Sequence, residues 1–270
     1  MIDVVSYDWN CPKYITPRYT KAQVDELLQS VSRQTQPAPP AAPIGSGSLA
    51  LAVTGMRQMT PRIRAYELRA SDWSDLPAAA PGAHLAVPLR LADGSLATRQ
   101  YSLATHPARR DMYEIAVLRE DDGRGGSAAI HENWTIGTRL DLDPPLNQFA
   151  LHDDARPALL IAGGIGITPI KAMAQALQAR GTPFMLHYTG RRPEEMAYRD
   201  RLAIEFPQQL RLYFSRVAGH ARMDIDAILR AAAVNAVIYV CGPAALIGAV
   251  VSSARKFGIA PERVQSESFT

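Results

Sequence analysis

From position 49 onward the chain is written in two successive hydrophobic patterns. Residues 49–53, 63–68, 85–89, 99–103, 113–118 and 139–142 are short strand-like runs, most of them alternating apolar with polar positions, the period of a half-buried strand. Pro81-Gly82, Asp93-Gly94 and His106-Pro107 punctuate them as turns. Six short strands at that spacing predict an antiparallel barrel. From about Arg156 the period changes. Largely apolar runs at 158–162, 183–188, 210–214 and 236–240 alternate with helical stretches near 169–180, 194–205, 223–232 and 244–257. Gly181 is placed to end the first of these helices. Strands alternating with helices predict a parallel sheet with helices on both faces. The expected fold is two-domain: an antiparallel β-barrel over residues 49–153, then a doubly wound α/β parallel-sheet domain over 154–270.

The stretch before position 49 follows neither pattern. Residues 34–48 contain four prolines followed by glycine and serine, and read as a linker, stiff first and flexible after. Residues 1–33 hold one amphipathic helix at most, starting at Lys21 with Thr20 as its cap and Val24, Leu27, Leu28 and Val31 on one face. A single helix cannot enclose a core, so this piece is expected to be a stub of an upstream domain or a tail.

Composition narrows the chemistry. Lysine and arginine together number 29 against 26 acidic residues, and the arginines are scattered without an aromatic–basic stripe, which argues against nucleic acid as a partner. Only Cys11 and Cys241 are present. They imply no disulfide framework and suit a reducing cytoplasm. They are also too few for a plant-type two-iron cluster or a four-cysteine zinc site, so neither an iron–sulfur cluster nor a metal is expected in this chain. The first residues lack a basic segment followed by an apolar one, so no secretory signal is read. Residues 231–254 carry no charge, but Asn235 and Cys241-Gly242-Pro243 interrupt them. A buried strand, a turn and a helix explain them better than a membrane span.

Four local motifs carry chemistry. In Arg99-Gln100-Tyr101-Ser102-Leu103, Arg99 and Tyr101 share one strand face. A guanidinium grips a phosphate by paired bonds and a phenol ring packs on an aromatic plane, while Ser102 offers a hydroxyl. An amphipathic strand without a ligand would look the same. Gly123-Arg124-Gly125-Gly126-Ser127 precedes a short helix through His131. Glycines that let the backbone wrap an anion, at a helix start with unpaired N–H groups, make a phosphate cradle. Third, Gly163-Gly164-Ile165-Gly166-Ile167-Thr168-Pro169 joins a strand to a helix, with Thr168 expected as N-cap and Pro169 as first helical residue. The helix start would then face the crevice where such sheets bind dinucleotides. Fourth, Cys241-Gly242-Pro243 closes another strand, and Cys241 reads equally well as a buried structural cysteine.

In this order and spacing the motifs resemble the ferredoxin reductase superfamily of flavoproteins, and most closely its phthalate dioxygenase reductase-like branch. The resemblance covers about residues 49–270. It implies that Arg99 binds the flavin phosphate, Tyr101 stacks on the isoalloxazine, Ser102 and Leu103 lie near its reactive edge, and Gly125, Gly126 and Ser127 hold the phosphate in the manner of FMN rather than FAD. It further implies that Gly163, Gly164, Gly166 and Pro169 line a pyrophosphate, with Thr168, Cys241, Gly242 and Pro243 about the nicotinamide ring. Arg191, Ser215 and Arg216 follow the second and third strands of the α/β part and lean the nucleotide choice toward NADPH over NADH. The activity implied is NAD(P)H-dependent flavin reduction, with electrons passed to a separate iron–sulfur protein or oxygenase. Free flavin or quinone reduction and a non-catalytic flavin-binding sensor are the alternatives. Residues 8–18 resemble the C-terminal end of pyridoxamine phosphate oxidase-like flavin proteins. Glu267-Ser268-Phe269-Thr270 resembles the point where relatives run on into a ferredoxin domain.

Overall fold

A computed structural model describes residues 20–26 and 42–269 of the 270-residue chain. Residues 20–26 belong to a unit separate from the compact body that begins at Pro43. Residues 21–26 are helical. The Gln23 amide donates to Thr20 Oγ1 (3.3 Å) and the Thr20 amide to Gln23 Oε1 (2.9 Å), a reciprocal cap that satisfies two end groups at once. Leu27, Leu28 and Val31 of the expected helix face, the stretch 8–18 and Cys11 lie outside the described residues.

The body opens with a barrel. Strands β1 (Ile44–Gly45), β2 (Leu49–Thr60), β3 (Ile63–Ala70), β4 (His84–Arg90), β5 (Leu96–Ser102), β6 (Tyr113–Leu118) and β7 (Arg139–Leu142) supply its wall, with helix α1 (Gly126–Asn133) between β6 and β7. The main sheet runs β1-β7-β2-β3-β6, and β4 pairs with β5. Bridges from Leu103 to Ile115 and from His84 to Leu146 carry the β4–β5 pair onward. Register shifts at Val53/Gly55 and Gln58/Thr60 let the 12-residue β2 bend. Ile44-Gly45, read from composition as linker, joins the barrel as β1, parallel to β7. Leu51, Tyr66, Leu68, Leu85, Val87 and Ile115 are fully buried in its core.

The second half is a five-stranded parallel sheet in the order β10 (Leu210–Phe214), β9 (Phe184–Gly190), β8 (Ala158–Gly163), β11 (Val237–Gly242), β12 (Val264–Ser268). Alternate residues of β8 and β11 point to opposite faces. Leu160, Ala162, Tyr239 and Cys241 pack under α2 (Ile167–Ala179) and α3 (Arg199–Glu205). Leu159, Ile161, Ile238 and Val240 pack under α4 (Ile225–Ala231) and α5 (Ala244–Lys256). The first of these cores also takes in Ile63, Ala104, Ala116 and Phe149 of the barrel side, so the two halves share buried surface.

Three sequence expectations need correction. The helix near 194–205 is broken: a 3-10 turn spans Pro193–Glu195 and α3 starts only after Tyr198, whose φ is 61°. Tyr198 is buried, with its hydroxyl donating to Glu114 Oε1 (2.9 Å), and that bond holds the kink. α2 begins at Ile167 with Gly166 as its cap residue, so Thr168 does not cap it; its hydroxyl donates back to the Ile165 carbonyl (3.0 Å). Finally, β12 was not anticipated. Its Val-Gln-Ser-Glu-Ser is too polar to read as a strand, yet all five residues pair with β11, from Ile238 to Gly242.

Among the described residues no helix is long and apolar enough to cross a membrane, and no cluster of three histidine, cysteine or acidic side chains could hold a metal ion.

Gly82 has φ +94°, and a Cβ there would lie 1.9 Å from the Phe149 carbonyl oxygen. Gly82→Ala is therefore expected to lose about 1–3 kcal/mol, from backbone strain and a clash with main chain that cannot rotate away, measured as a lowered urea midpoint.

Candidate functional site

β5 presents Ala97, Arg99 and Tyr101 half-buried on one face, with Leu96, Thr98 and Gln100 exposed on the other. Next to that face stands the start of α1. Its cap residue, Gly125, has φ 75° and no side chain caps the helix, so the first N–H groups carry their partial positive charge outward. A Cβ on Gly126 would sit 3.0 Å from Arg99 Nε, which places the guanidinium stem across the first turn. Backbone donors and a guanidinium meeting at one corner suit a phosphate. Tyr101 offers its ring beside this corner, and burial raises its hydroxyl pKa well above the ordinary value, so it stays neutral. Ser127 is less free than its motif suggests, because its Oγ accepts from the Glu120 amide (3.0 Å) and ties the glycine loop to the end of β6. His131 is half-buried and hydrogen-bonded to the Val117 carbonyl (2.9 Å), pinning α1 to β6.

A cleft of about 670 Å³ opens between the β2–β3 turn and the carboxyl ends of the parallel strands. Gly163 and Gly164 lie at the end of β8, and Gly242 and Pro243 at the end of β11, the position where strand order reverses and such sheets accept dinucleotides. Backbone crowding explains the glycines. A Cβ on Gly166 would lie 2.3 Å from the Cys241 carbonyl oxygen, and one on Gly242, at φ +155°, would lie 3.0 Å from Gly163 main chain. The two loops therefore approach at backbone distance and leave the strand ends open.

At the end of β5 the two halves touch through chemistry. Ser102 Oγ donates to Glu267 Oε2 of β12 (3.2 Å). Ser102 is 3 % exposed, and burial raises the Glu267 carboxyl above the ordinary carboxylate range, with the Ser102 hydrogen bond opposing the shift. Cys241, aligned with Glu267 across the β11–β12 pairing, is fully buried, and burial pushes its thiol far up. It is no thiolate nucleophile.

The structure thus gathers Gly163, Gly164, Arg191, Ser215, Gly242 and Pro243 around one cleft. It sets Arg99, Tyr101, Gly125 and Gly126 at a separate corner of the barrel, with Ser102 and Leu103 buried where β5 ends. Thr168, Pro169, Gly166 and Cys241 lie beneath the surface as packing. Arg216 stands beside Arg191, its amide bonded to the Arg191 carbonyl (2.9 Å) where β9 and β10 end. Sequence reasoning missed Glu267, Lys171 and the cleft-lining Phe269. Glu267 had no signal beyond a carboxylate in a short polar run, since its partner is 165 positions away.

Residues 138–264 match the family described as dimethylamine monooxygenase subunit DmmA-like, N-terminal domain. The chain is 39% identical over 217 residues to the heme-dependent oxidative N-demethylase beta subunit of Ectopseudomonas mendocina, covering 80% of this chain and 68% of that protein. It is 37% identical to the vanillate O-demethylase oxidoreductase of Acinetobacter baylyi, over 79% of this chain and 66% of that protein. It therefore spans about two thirds of the length of these relatives. Among solved structures, phthalate dioxygenase reductase, described as a modular structure for electron transfer from pyridine nucleotides to [2Fe-2S], superposes with a TM-score of 0.74 at 31% identity, covering 82% of this chain and 67% of that one.

The raised Glu267 pKa has a signed consequence. The folded state binds the proton more tightly than the unfolded chain, so native stability falls as pH rises through the ordinary carboxylate pKa up to the raised one. Glu267→Gln removes that dependence. Urea midpoints from pH 4 to 8 are expected to move in the variant's favour, relative to wild type, as pH rises.

Proposed function

The chain belongs to the phthalate dioxygenase reductase-like branch of the ferredoxin reductase superfamily, the reductases of oxygenase systems, and on that premise we propose that its cleft brings a reduced nicotinamide against a flavin seated on the barrel. The observation that carries this reading is the Ser102–Glu267 hydrogen bond, which ties the motif strand of the barrel to the strand-end crevice of the parallel sheet. A bound flavin supplies a hydride acceptor at N5 and releases electrons singly.

The chain's own residues supply position and charge. Arg99 and the open start of α1 hold the flavin phosphate, and Tyr101 packs on the ring. Ser102 stands at the reactive edge, and Glu267 behind it accepts a hydrogen bond from the Ser102 hydroxyl and holds that hydroxyl in place. Gly163, Gly164, Gly242 and Pro243 let the nucleotide lie along bare backbone. Gly166, Thr168, Pro169 and Cys241 brace that crevice from beneath, where side chains any larger would close it. Positioning of two reactants in this way lowers the barrier without an acid–base catalyst.

Two finer choices follow. The glycine loop places a helix start and one arginine at a single phosphate corner, and its Gly-Arg-Gly-Gly-Ser form favours FMN over FAD. Arg191 and Arg216 stand side by side where β9 and β10 end, next to Ser215, and neither is in an ion pair among the described residues. Two open guanidiniums there favour the 2′-phosphate of NADPH over NADH. The acceptor is an iron–sulfur protein or oxygenase component whose cluster is carried outside these residues, which hold two cysteines.

Anaerobic stopped-flow spectra of the flavin-loaded protein, mixed separately with NADPH and NADH, test the reading. Rapid loss of the oxidised flavin band is expected, faster at limiting NADPH. A protein that binds no flavin, or whose flavin stays oxidised, overturns it. Arg216→Ala is expected to lower kcat/KM for NADPH about tenfold or more, the size of one charge-assisted hydrogen bond, while leaving NADH nearly unaffected.

A further inference from the structure

Lys171 is the one charged residue on the inward side of α2, whose neighbours there are Ile167, Ile170, Ala174 and Leu177, and it is 2 % exposed. No carboxylate pairs with it among the described residues. Its ammonium donates instead to the Ala104 carbonyl (2.5 Å) and to Gln175 Oε1 (3.4 Å), and lies 5.2 Å from the centre of the Tyr198 ring. The charged groups facing it from neighbouring elements are Glu114 on β6, Arg57 on β2, and Arg201 and Glu205 on α3; burial is the larger influence and brings its pKa down to about 8.

Ala104 is two residues past Ser102. Its own amide donates to the Glu114 carbonyl (2.8 Å), and the Glu114 amide to Thr105 Oγ1 (2.6 Å). The carboxylate of Glu114 takes the Tyr198 hydroxyl on one oxygen and Arg57 on the other (3.3 Å). On the α2 side, Gln175 Nε2 donates to Glu205 Oε1 (2.8 Å). A continuous polar chain therefore crosses the buried surface between barrel and sheet, with Lys171 at its centre. A buried ammonium without a carboxylate is costly, and an apolar side chain would pack the same helix face more cheaply. What the ammonium adds is a directional bond from the helix that starts at the nucleotide loop to the strand end that bears Ser102.

We propose that Lys171 is a positioning residue: by tying α2 to the main chain just past Ser102, it sets the separation of the two halves of the cleft across which the hydride passes. The role rests on the functional reading above, and Lys171 touches neither nucleotide nor flavin in it.

Lys171→Met keeps the volume and removes the bond. In flavin-free protein, hydrogen exchange of the amides of residues 103–106 is expected to speed about tenfold or more, with β2, β3 and β8 unchanged. In flavin-loaded protein at saturating nucleotide, the rate constant for flavin reduction is expected to fall about tenfold or more while nucleotide Kd stays within about twofold, the mark of lost alignment rather than lost binding. Exchange raised evenly through the chain, or exchange and rate both as in wild type, overturns the role. Should the variant not fold, wild-type exchange decides alone. Residues 103–106 and α2 opening with one shared free energy supports the tie, and independent opening overturns it. Wild-type flavin that NAD(P)H does not reduce sinks the functional reading, and the flavin-free exchange still reports on Lys171 separately.

Discussion

The end of β5 is held from the other half of the molecule by two bonds, Ser102 to Glu267 of β12 and the Ala104 carbonyl to Lys171 of α2. Neither bond is strong in isolation; a net contribution of about 1–3 kcal/mol is usual when a charged or part-buried group is involved. Their weight comes from where they act. A barrel and a parallel sheet can share apolar surface in many slightly different ways, because burial has no direction. Two hydrogen bonds to the same three-residue stretch select one, and with it the distance from the motif strand to the nucleotide crevice.

Steric room is arranged on the same logic. The crevice is open because the loops after β8 and β11 contain glycines that pack backbone against backbone, Gly166 against Cys241 and Gly242 against Gly163. Cys241 and Thr168 sit directly below, buried and neutral, their side chains spent on packing and on a carbonyl. Charge is kept to the rim, where Arg191 and Arg216 meet at the ends of β9 and β10.

Much of this was legible beforehand. The change of period near Arg156 marks the passage from barrel to parallel sheet, and β10 was read at Leu210–Phe214, where it forms. The glycine loops were legible too, since a helix start stripped of side chains is a local property. Other features escaped for reasons that are equally physical. β1 was hidden in a proline-rich stretch, because two residues carry no period. β12 was hidden by its polarity. α3 lost its first turns to Tyr198, which follows its hydroxyl into the barrel at a positive φ.

By itself the sequence determined most of the elements, their order and the four motifs, because each rests on spacing within about ten neighbouring residues. Only the tertiary structure decided which distant side chains complete the site. Glu267 meets Ser102 across 165 positions and Lys171 meets Ala104 across 67. A carboxylate in a polar strand or a lysine in a helix looks the same in sequence whether it ends in water or in the interior. Folding brings those partners together, and the low-polarity surroundings it builds around them give the hydrogen bonds their force.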